Sequence, residues 1–284
     1  MVRRIPTRER VGRLVWTTLS FLVLTIVSFI VILPLVWAVS TSFRLPMHSF
    51  MLPPKWLPTE WRWQNYRDVF AAVPFGLYIL NSFKVSASIV LAQIITSSMA
   101  AYAFARLRFP GKDFLFMLLM SSMMVPLFVT IIPVFILVRN LQLNDTHAAL
   151  VVPATTSAFG TFLIRQFFMT IPRELEEAAK IDGATPWDIF IHVILPLGAP
   201  GISVLAILAF NGYWNEFFRP LIFLSSWEKF TIPLGLVTLR GTMESGSVSV
   251  VMAGVSMALI PVTLVFLFAQ RYLIEGIALT GLKG

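Results

Sequence analysis

Glu174, Glu176, Glu177, Asp182 and Asp188 crowd one stretch, residues 174–200 (ELEEAAKIDGATPWDIFIHVILPLGAP), of a 284-residue chain with only 14 acidic residues. Carboxylates at that density can work as acid–base pairs, ligate a metal, or dock a basic surface. The companions that catalysis needs are missing. His48, His147 and His192 are scattered and read as interfacial or helix-packing residues; there is no H-E-x-x-H zinc site, no G-x-S-x-G elbow and no cysteine. No phosphate-cradling loop exists either, because Gly111-Lys112 runs into Asp113 and position 106 is Arg. The stretch therefore reads as a docking element.

Local chemistry gives that element a shape. Pro172 is expected at the first position of a helix, where its missing N–H costs nothing, with Glu174, Glu176 and Glu177 near the positive helix end. Gly183 suits the left-handed residue that closes the helix, Thr185 the cap of a second helix, Pro186 its first position and Asp188 its first turn. Two short helices with a sharp bend follow. Ala178, Ala179, Ala184 and Phe190 are expected as their exposed apolar residues, with Glu177 and Asp182 pairing with a basic partner or capping local backbone. The pair leads through Leu195 and Pro196 into an apolar run.

The elements around it are those of a bilayer protein. Hydrophobic residues make up 57% of the chain and charged residues 13%, and the mean hydropathy is +0.81. Apolar runs approach the ~20 residues that a spanning helix needs. Six spans are predicted, near 14–40, 78–104, 113–137, 148–168, 201–224 and 248–270, and the first lacks a signal-peptide cleavage site. A net charge of +8 could suggest nucleic acid, but its distribution argues against that. Arg3, Arg4, Arg8, Arg10 and Arg13 precede the first span, and Arg106, Arg108, Lys112, Arg165, Arg173, Lys180, Arg271 and Lys283 fall on the same side, which the positive-inside rule makes cytoplasmic. Pro126, Pro133, Pro153 and Pro261 predict kinks. Residues 41–77 are different in kind, interleaving Pro46, Pro53, Pro54, Pro58 and Pro74 with Trp56, Trp61, Trp63 and Tyr66. That segment cannot span lipid and is expected outside, its aromatics at the interfacial belt or on a partner.

Polar residues inside the fifth span suggest a path. From Gly201, Asn211 would lie about 15 Å into the membrane, and Asn215 and Glu216 about 21–23 Å, at a rise of about 1.5 Å per residue. A central charge costs roughly 2.5–3.5 kcal/mol on insertion scales, so these groups are expected to face protein or water. Asn211 and Asn215 share a face, and Glu216 can reach Arg219 three residues on. They either line a translocation pathway or hydrogen-bond between helices. Asn81, Lys84 and Gln93 in the second span raise the same question, with Lys84 able to snorkel outward.

The order Glu177-Ala178-Ala179, Asp182-Gly183-Ala184, Phe190, Ile194-Leu195-Pro196 and Pro200 resembles the EAA motif of ABC-importer permeases. Residues Ala100 to Arg106, Phe109-Pro110-Gly111, Trp214-Asn215-Glu216-Phe217, Gln270-Arg271-Tyr272 and Lys283-Gly284 are similar to the smaller permease of maltose-type carbohydrate importers. The resemblance implies a type I ABC importer permease fold: an all-α polytopic protein of six transmembrane helices in the prokaryotic cytoplasmic (inner) membrane, with both termini cytoplasmic. Its divisions would be an N-terminus at 1–13, a first helix at 14–40, an extracytoplasmic segment at 41–77, a core at 78–270 with coupling helices at 172–196, and a tail at 271–284.

Implied partners are a homologous second permease forming a heterodimer, two cytoplasmic ATPase subunits that bind ATP and Mg, an extracytoplasmic solute-binding protein, a carbohydrate substrate and membrane lipid, with no nucleic acid. The chain itself would hold no cofactor or metal and would not be an enzyme. Coupling to the ATPases falls to Glu177, Ala178, Ala179, Asp182, Gly183 and Ala184. Arg219 departs from the apolar residue expected after the Trp-Asn-Glu run. Another solute class such as glycerophosphodiesters, an ion-coupled secondary transporter, and a scaffold or receptor without a solute path are the alternatives.

Overall fold

The computed structural model describes residues 7–45, 56–243 and 247–281. Arg3, Arg4, Pro46, His48, Pro53, Pro54, Lys283 and Gly284 lie outside them. The regular elements described are all helical, and they fall into two compact units, residues 1–72 with 242–257 and residues 73–241 with 258–284.

The first unit is led by α1 (Thr7–Ser42), a 36-residue helix about 54 Å long at about 1.5 Å per residue. It outruns the 14–40 read from hydropathy at both ends, because hydropathy marks only the lipid-length portion and the helix continues into polar flanks. Its apolar side chains, from Leu14 to Val36, are mostly exposed, as expected of a helix whose solvent is hydrocarbon. The chain beyond it is pinned by Asn65 at the start of α2 (Gln64–Ala72). The Asn65 amide donates to the Ser42 carbonyl at 2.7 Å and the Arg44 carbonyl at 2.8 Å. Phe43 lies 4.7 Å from the Trp63 ring and 5.1 Å from those of Trp61 and Tyr66. The tryptophans thus pack by one edge on the end of α1 and expose the other, the habit of amphipathic rings.

In the second unit, α3 (Phe75–Arg106) is the central post. Tyr78, Ser82, Val85, Ile89, Gln93, Ser97 and Ala101 recur at helical spacing along its buried face. The small residues in that row let neighbouring backbones approach. α4 (Lys112–Ser122) and α5 (Leu127–Asn140) form one broken span, bent by 99°. Pro126, which has no N–H to continue the ladder, stands at that break as the cap of α5. α6 (Ala148–Val151), a 3₁₀ turn over Val152–Ala154 containing Pro153, and α7 (Ala158–Thr170) make a second broken span, bent by 45°.

α8 (Glu174–Ile181), α9 (Pro186–Ile189), a π turn at Phe190–Ile194 and α10 (Leu195–Leu197) lead into α11 (Ala199–Trp214), across a 71° bend at Gly198. α12 (Phe218–Phe223), α13 (Ile232–Thr242) and α14 (Val248–Gly281) complete the chain.

Among the described residues, three continuous helices are long and apolar enough to cross a membrane, or up to six spans if each bent pair counts as one. The expected spans 113–137, 148–168 and 201–224 are therefore not single helices. The last of them stops at Trp214 and resumes at Phe218. Pro133 and Pro261, expected to kink their helices, lie inside uninterrupted α5 and α14. Pro172 departs from expectation. It sits two residues ahead of α8, whose first turn is closed by the Arg173 carbonyl accepting from the Glu176 and Glu177 amides at 3.0 Å each.

The loop between α5 and α6 is tied to the segment after α12 by Asp145. Its carboxylate accepts from the Ser225 amide at 2.8 Å, the Ser226 amide at 2.9 Å and the Lys229 ammonium at 2.9 Å, and from the Ser226 hydroxyl. The Ser226 hydroxyl and amide, then Lys229 and the Ser225 amide, hold the Asp145 carboxyl well below the usual carboxylate range. His147 adds a 3.0 Å bond to the Lys229 carbonyl, a helix-packing role of the kind expected for it.

Two predictions follow from this packing. A methyl group at Gly198 would fall 2.2 Å from the Phe168 ring, so Gly198→Ala should destabilise the detergent-purified protein by about 1–3 kcal/mol through overpacking. Adding Phe168→Leu should return part of the loss in thermal melting. Because Asp145 has a depressed pKa in the fold, its contribution is complete above about pH 4, its unfolded range, and fades as pH falls below that. The melting-temperature gap between wild type and Asp145→Asn should accordingly narrow on acidification below about pH 4.

Candidate coupling helices and translocation cavity

The turn between α8 and α9 is built from backbone alone. Gly183 has φ of +84°. Its amide donates to the Lys180 carbonyl at 3.1 Å, and the Ala184 amide donates to the Ala179 carbonyl at 2.9 Å. These are the two bonds of a Schellman closure. A Cβ at Gly183 would meet nothing within 4 Å. Glycine is required there by backbone conformation and not by space.

Two residues on, Thr185 and Asp188 form a reciprocal capping box, the Asp188 amide donating to Thr185 Oγ1 at 3.2 Å and the Thr185 amide to the Asp188 carboxylate at 3.0 Å. Pro186 occupies the first turn as expected. His192 Nδ1 lies 3.1 Å from the Asp188 carbonyl, on the same helix.

One face of this pair is welded to the bundle. Ile189, Phe190 and Ile194 are buried with Ala101, Tyr102 and Ala105 of α3 and Ile164 and Phe168 of α7, and Ala179 and Ala184 pack half-buried against them. Phe190, expected as exposed surface, is only 4% exposed and lies 5.1 Å from the Tyr102 ring. The Tyr102 hydroxyl donates to the Pro186 carbonyl at 3.1 Å. Glu176 lies in the first turn of α8, near the positive helix end as expected, and is buried. Its Oε1 lies 3.1 Å from Arg106 Nε, with side-chain exposures of 9% and 4%. Arg106 also donates to the carbonyls of Phe168 and Ile171.

The opposite face is open. Glu177, Ala178, Asp182 and Gly183 are exposed there. So are Ile181 at 87% and Trp187 at 55%, two large apolar groups that the residue pattern did not single out. Their signal was available in the helical spacing: neither falls on the buried stripe of Ala179, Ala184 and Ile189.

The polar residues of the former fifth span separate. Glu216 lies in the wall of a cavity of about 790 Å³ with Gln93, Ser157, Tyr213 and Arg219. Arg219 Nε lies 2.6 Å from Glu216 Oε1, confirming the reach across three residues, and the guanidinium lies 5.3 Å from the Tyr213 ring centre. Gln93, buried, donates to the Tyr213 hydroxyl and the Ala154 carbonyl, each at 2.8 Å.

Asn211 lies instead along a separate groove of about 390 Å³ with Phe210, Val262 and Phe266. Asn215 donates to its carbonyl at 2.8 Å and its side-chain oxygen at 3.1 Å. Asn211 and Asn215, expected to face protein or water, are both exposed on the chain surface. Asn81 donates to the carbonyls of Glu228 and Phe230 and is a structural clamp, while Lys84 is exposed.

Residues 93–278 match the family described as binding-protein-dependent transport system inner membrane component. The chain belongs to that family. An arabinooligosaccharides transport system permease protein, AraQ of Halalkalibacterium halodurans, is 36% identical over 264 residues, 91% of this chain and 93% of that protein. An sn-glycerol-3-phosphate transport system permease protein, UgpE of Pectobacterium atrosepticum, is 34% identical over 80% of this chain and 84% of its own length. A diacetylchitobiose uptake system permease protein, NgcG of Streptomyces coelicolor, is 30% identical over 90% of this chain and 85% of its own. In the crystal structure of a bacterial ABC transporter involved in the import of the acidic polysaccharide alginate, one chain superposes with a TM-score of 0.80 at 23% identity, covering 95% of this chain and 99% of that one. The fold is thus that of an ABC importer permease.

Because the demand on Gly183 is conformational, Gly183→Val should destabilise the turn by about 1–2 kcal/mol, and Gly183→Asn by less. Limited proteolysis between α8 and α9 should rank the two variants in that order.

Proposed function

We propose that this chain is a permease subunit of an ATP-driven importer that moves a carbohydrate across the inner membrane by alternating access. It would pair with a homologous permease, receive solute from an extracytoplasmic binding protein, and be driven by two cytoplasmic ATPase subunits that bind ATP and Mg. The observation that carries the reading is the likeness to a carbohydrate permease along nearly the whole of both chains.

The geometry supports it at both ends. Residues 1–13 and 271–284 and the α8–α9 pair would lie in the cytoplasm, and residues 41–77 outside. Glu177, Ala178, Asp182 and Gly183, with Ile181 and Trp187 beside them, would enter a cleft on an ATPase, while half-buried Ala179 and Ala184 seat the pair on the bundle. Closure of the ATPases would then displace the pair as a lever.

Glu216 would line the solute path from the larger cavity, and Asn211 and Asn215 from the exposed surface facing the partner permease. The charged residues in that cavity wall are one carboxylate and one guanidinium, paired at 2.6 Å. Aromatic rings, an amide and a neutralised ion pair suit an uncharged polyhydroxylated solute. A glycerophosphate-type solute is the second reading, favoured by the 34% identical relative.

The test is reconstitution of the whole assembly in liposomes, with ATPase activity measured against binding proteins loaded with neutral sugars, acidic sugars or glycerol 3-phosphate. Stimulation by a neutral sugar, abolished by Glu177→Lys, is expected. Stimulation by glycerol 3-phosphate alone would replace the carbohydrate reading with the second one.

A further inference from the structure

Arg106 and Glu176 are further apart in sequence than any local pattern connects, yet they meet in the interior where the docking pair joins the bundle. Arg106 is the last residue of α3, and Glu176 lies in the first turn of α8. Their side chains, 4% and 9% exposed, approach to 3.1 Å. The Arg106 Nε–H is not aimed at the carboxylate well enough to form a hydrogen bond, so the attraction there is Coulombic. The same guanidinium uses its other end on the Phe168 and Ile171 carbonyls, the latter at 2.6 Å, at the C-terminal end of α7. One planar cation therefore ties three elements. Lysine, with a single ammonium, could not reproduce that fork.

The consequence lies at the other end of α3. Gln93 is thirteen positions before Arg106 on the same unbroken helix, about 20 Å away at about 1.5 Å per residue. It bonds Tyr213 in the wall of the larger cavity. A rigid helix thus connects the docking pair, through one buried charge pair, to the cavity.

We propose that Arg106 and Glu176 are positioning residues for energy coupling: their ion pair locks the α8–α9 pair to α3, so that displacement of the pair by an ATPase moves the cavity wall instead of being lost in slack at the joint. The apolar packing of Ile189 and Phe190 on Tyr102 also holds the pair. That contact can slide, however, whereas the Arg106 guanidinium is fixed from two sides, by the Glu176 carboxylate and by the Phe168 and Ile171 carbonyls. The proposal rests on the docking role assigned to α8–α9 above.

The test uses the reconstituted assembly and reads solute moved per ATP hydrolysed. Glu176→Gln keeps the side-chain shape and removes the charge. It should assemble with the ATPases at wild-type level and hydrolyse ATP, yet move at least about fivefold less solute per ATP, the lower end of typical coupling strengths. Wild-type stoichiometry in that variant would overturn the proposal.

Because the chain has no cysteine, an Arg106→Cys, Glu176→Cys double variant supplies a unique thiol pair within this subunit. It should be uncoupled when reduced and recover coupling when the thiols are joined by a short bifunctional reagent. If Glu176→Gln fails to accumulate, this double variant decides, and a joined form that assembles but stays uncoupled counts against the proposal. Failure of the wild-type chain to associate with any ATPase would instead strike the docking role itself.

Discussion

The arrangement of the second unit depends on a buried charge that must be answered. Arg106 ends a 32-residue helix whose preceding residues, Ala100 to Ala105, are almost all apolar, and its side chain is only 4% exposed. A charge in that position demands an opposite charge and acceptors for its N–H groups. Glu176 supplies the first, and the freed carbonyls at the end of α7 supply the second. Each party solves another's problem, because helix ends leave carbonyls unsatisfied and a carboxylate cannot be buried alone. Removing one partner of such a pair typically costs about 3–5 kcal/mol. The short helices α8 and α9 could not persist by themselves at eight and four residues. On the bundle they are held by this pair together with the buried Ile189, Phe190 and Ile194, and their internal shape comes from the Schellman turn and the capping box.

The same economy of polar groups recurs away from that joint. Asp145 takes two backbone amides, a hydroxyl and an ammonium where the loop after α5 meets the chain beyond α12. Asn81 secures two carbonyls of the segment preceding α13. Gln93 bridges the carbonyl of Ala154, at the end of the 3₁₀ turn between α6 and α7, and the Tyr213 hydroxyl. Each is a side chain inserted where a helix is interrupted, as an apolar surrounding requires of any break in the backbone ladder. The broken spans are consequently not weak points. They are where loops and cavities can be built in a membrane protein without leaving bare amides and carbonyls.

Close packing accounts for the rest of the second unit. Gly160, Gly198 and Gly201 sit where α7 meets α3 and α11 so tightly that a methyl group would strike Ser97, Phe168 or Phe167. In hydrocarbon, where apolar surface gains nothing by leaving the solvent, such approach is what holds helices together. Against this tightly joined background, the exposed Ile181 and Trp187 on the α8–α9 pair stand out, as do Glu216 in the wall of the larger cavity, Asn211 along its groove and the exposed Asn215. These are surfaces completed by other subunits in the reading advanced above.

The amino-acid sequence by itself determined the features that depend on neighbours along the chain. The left-handed Gly183, the Thr185–Asp188 cap and the Glu216–Arg219 pair are settled within four or so residues by backbone sterics and helical spacing, and the six apolar stretches by the composition of single continuous runs. Tertiary structure alone decided what depends on residues brought together from afar. It joined Arg106, read from sequence as a cytoplasmic charge, and Glu176, read as an acid at a helix start, into a buried pair, and it packed Phe190 inward against Tyr102. It also broke three spans that hydropathy reads as continuous, since mean apolarity records the solvent of a segment and not its direction. Asn211 and Glu216, five residues apart, parted onto different cavities because the helix carrying the first ends before the second. The chemistry of the turn was local, and the chemistry of the joint was not.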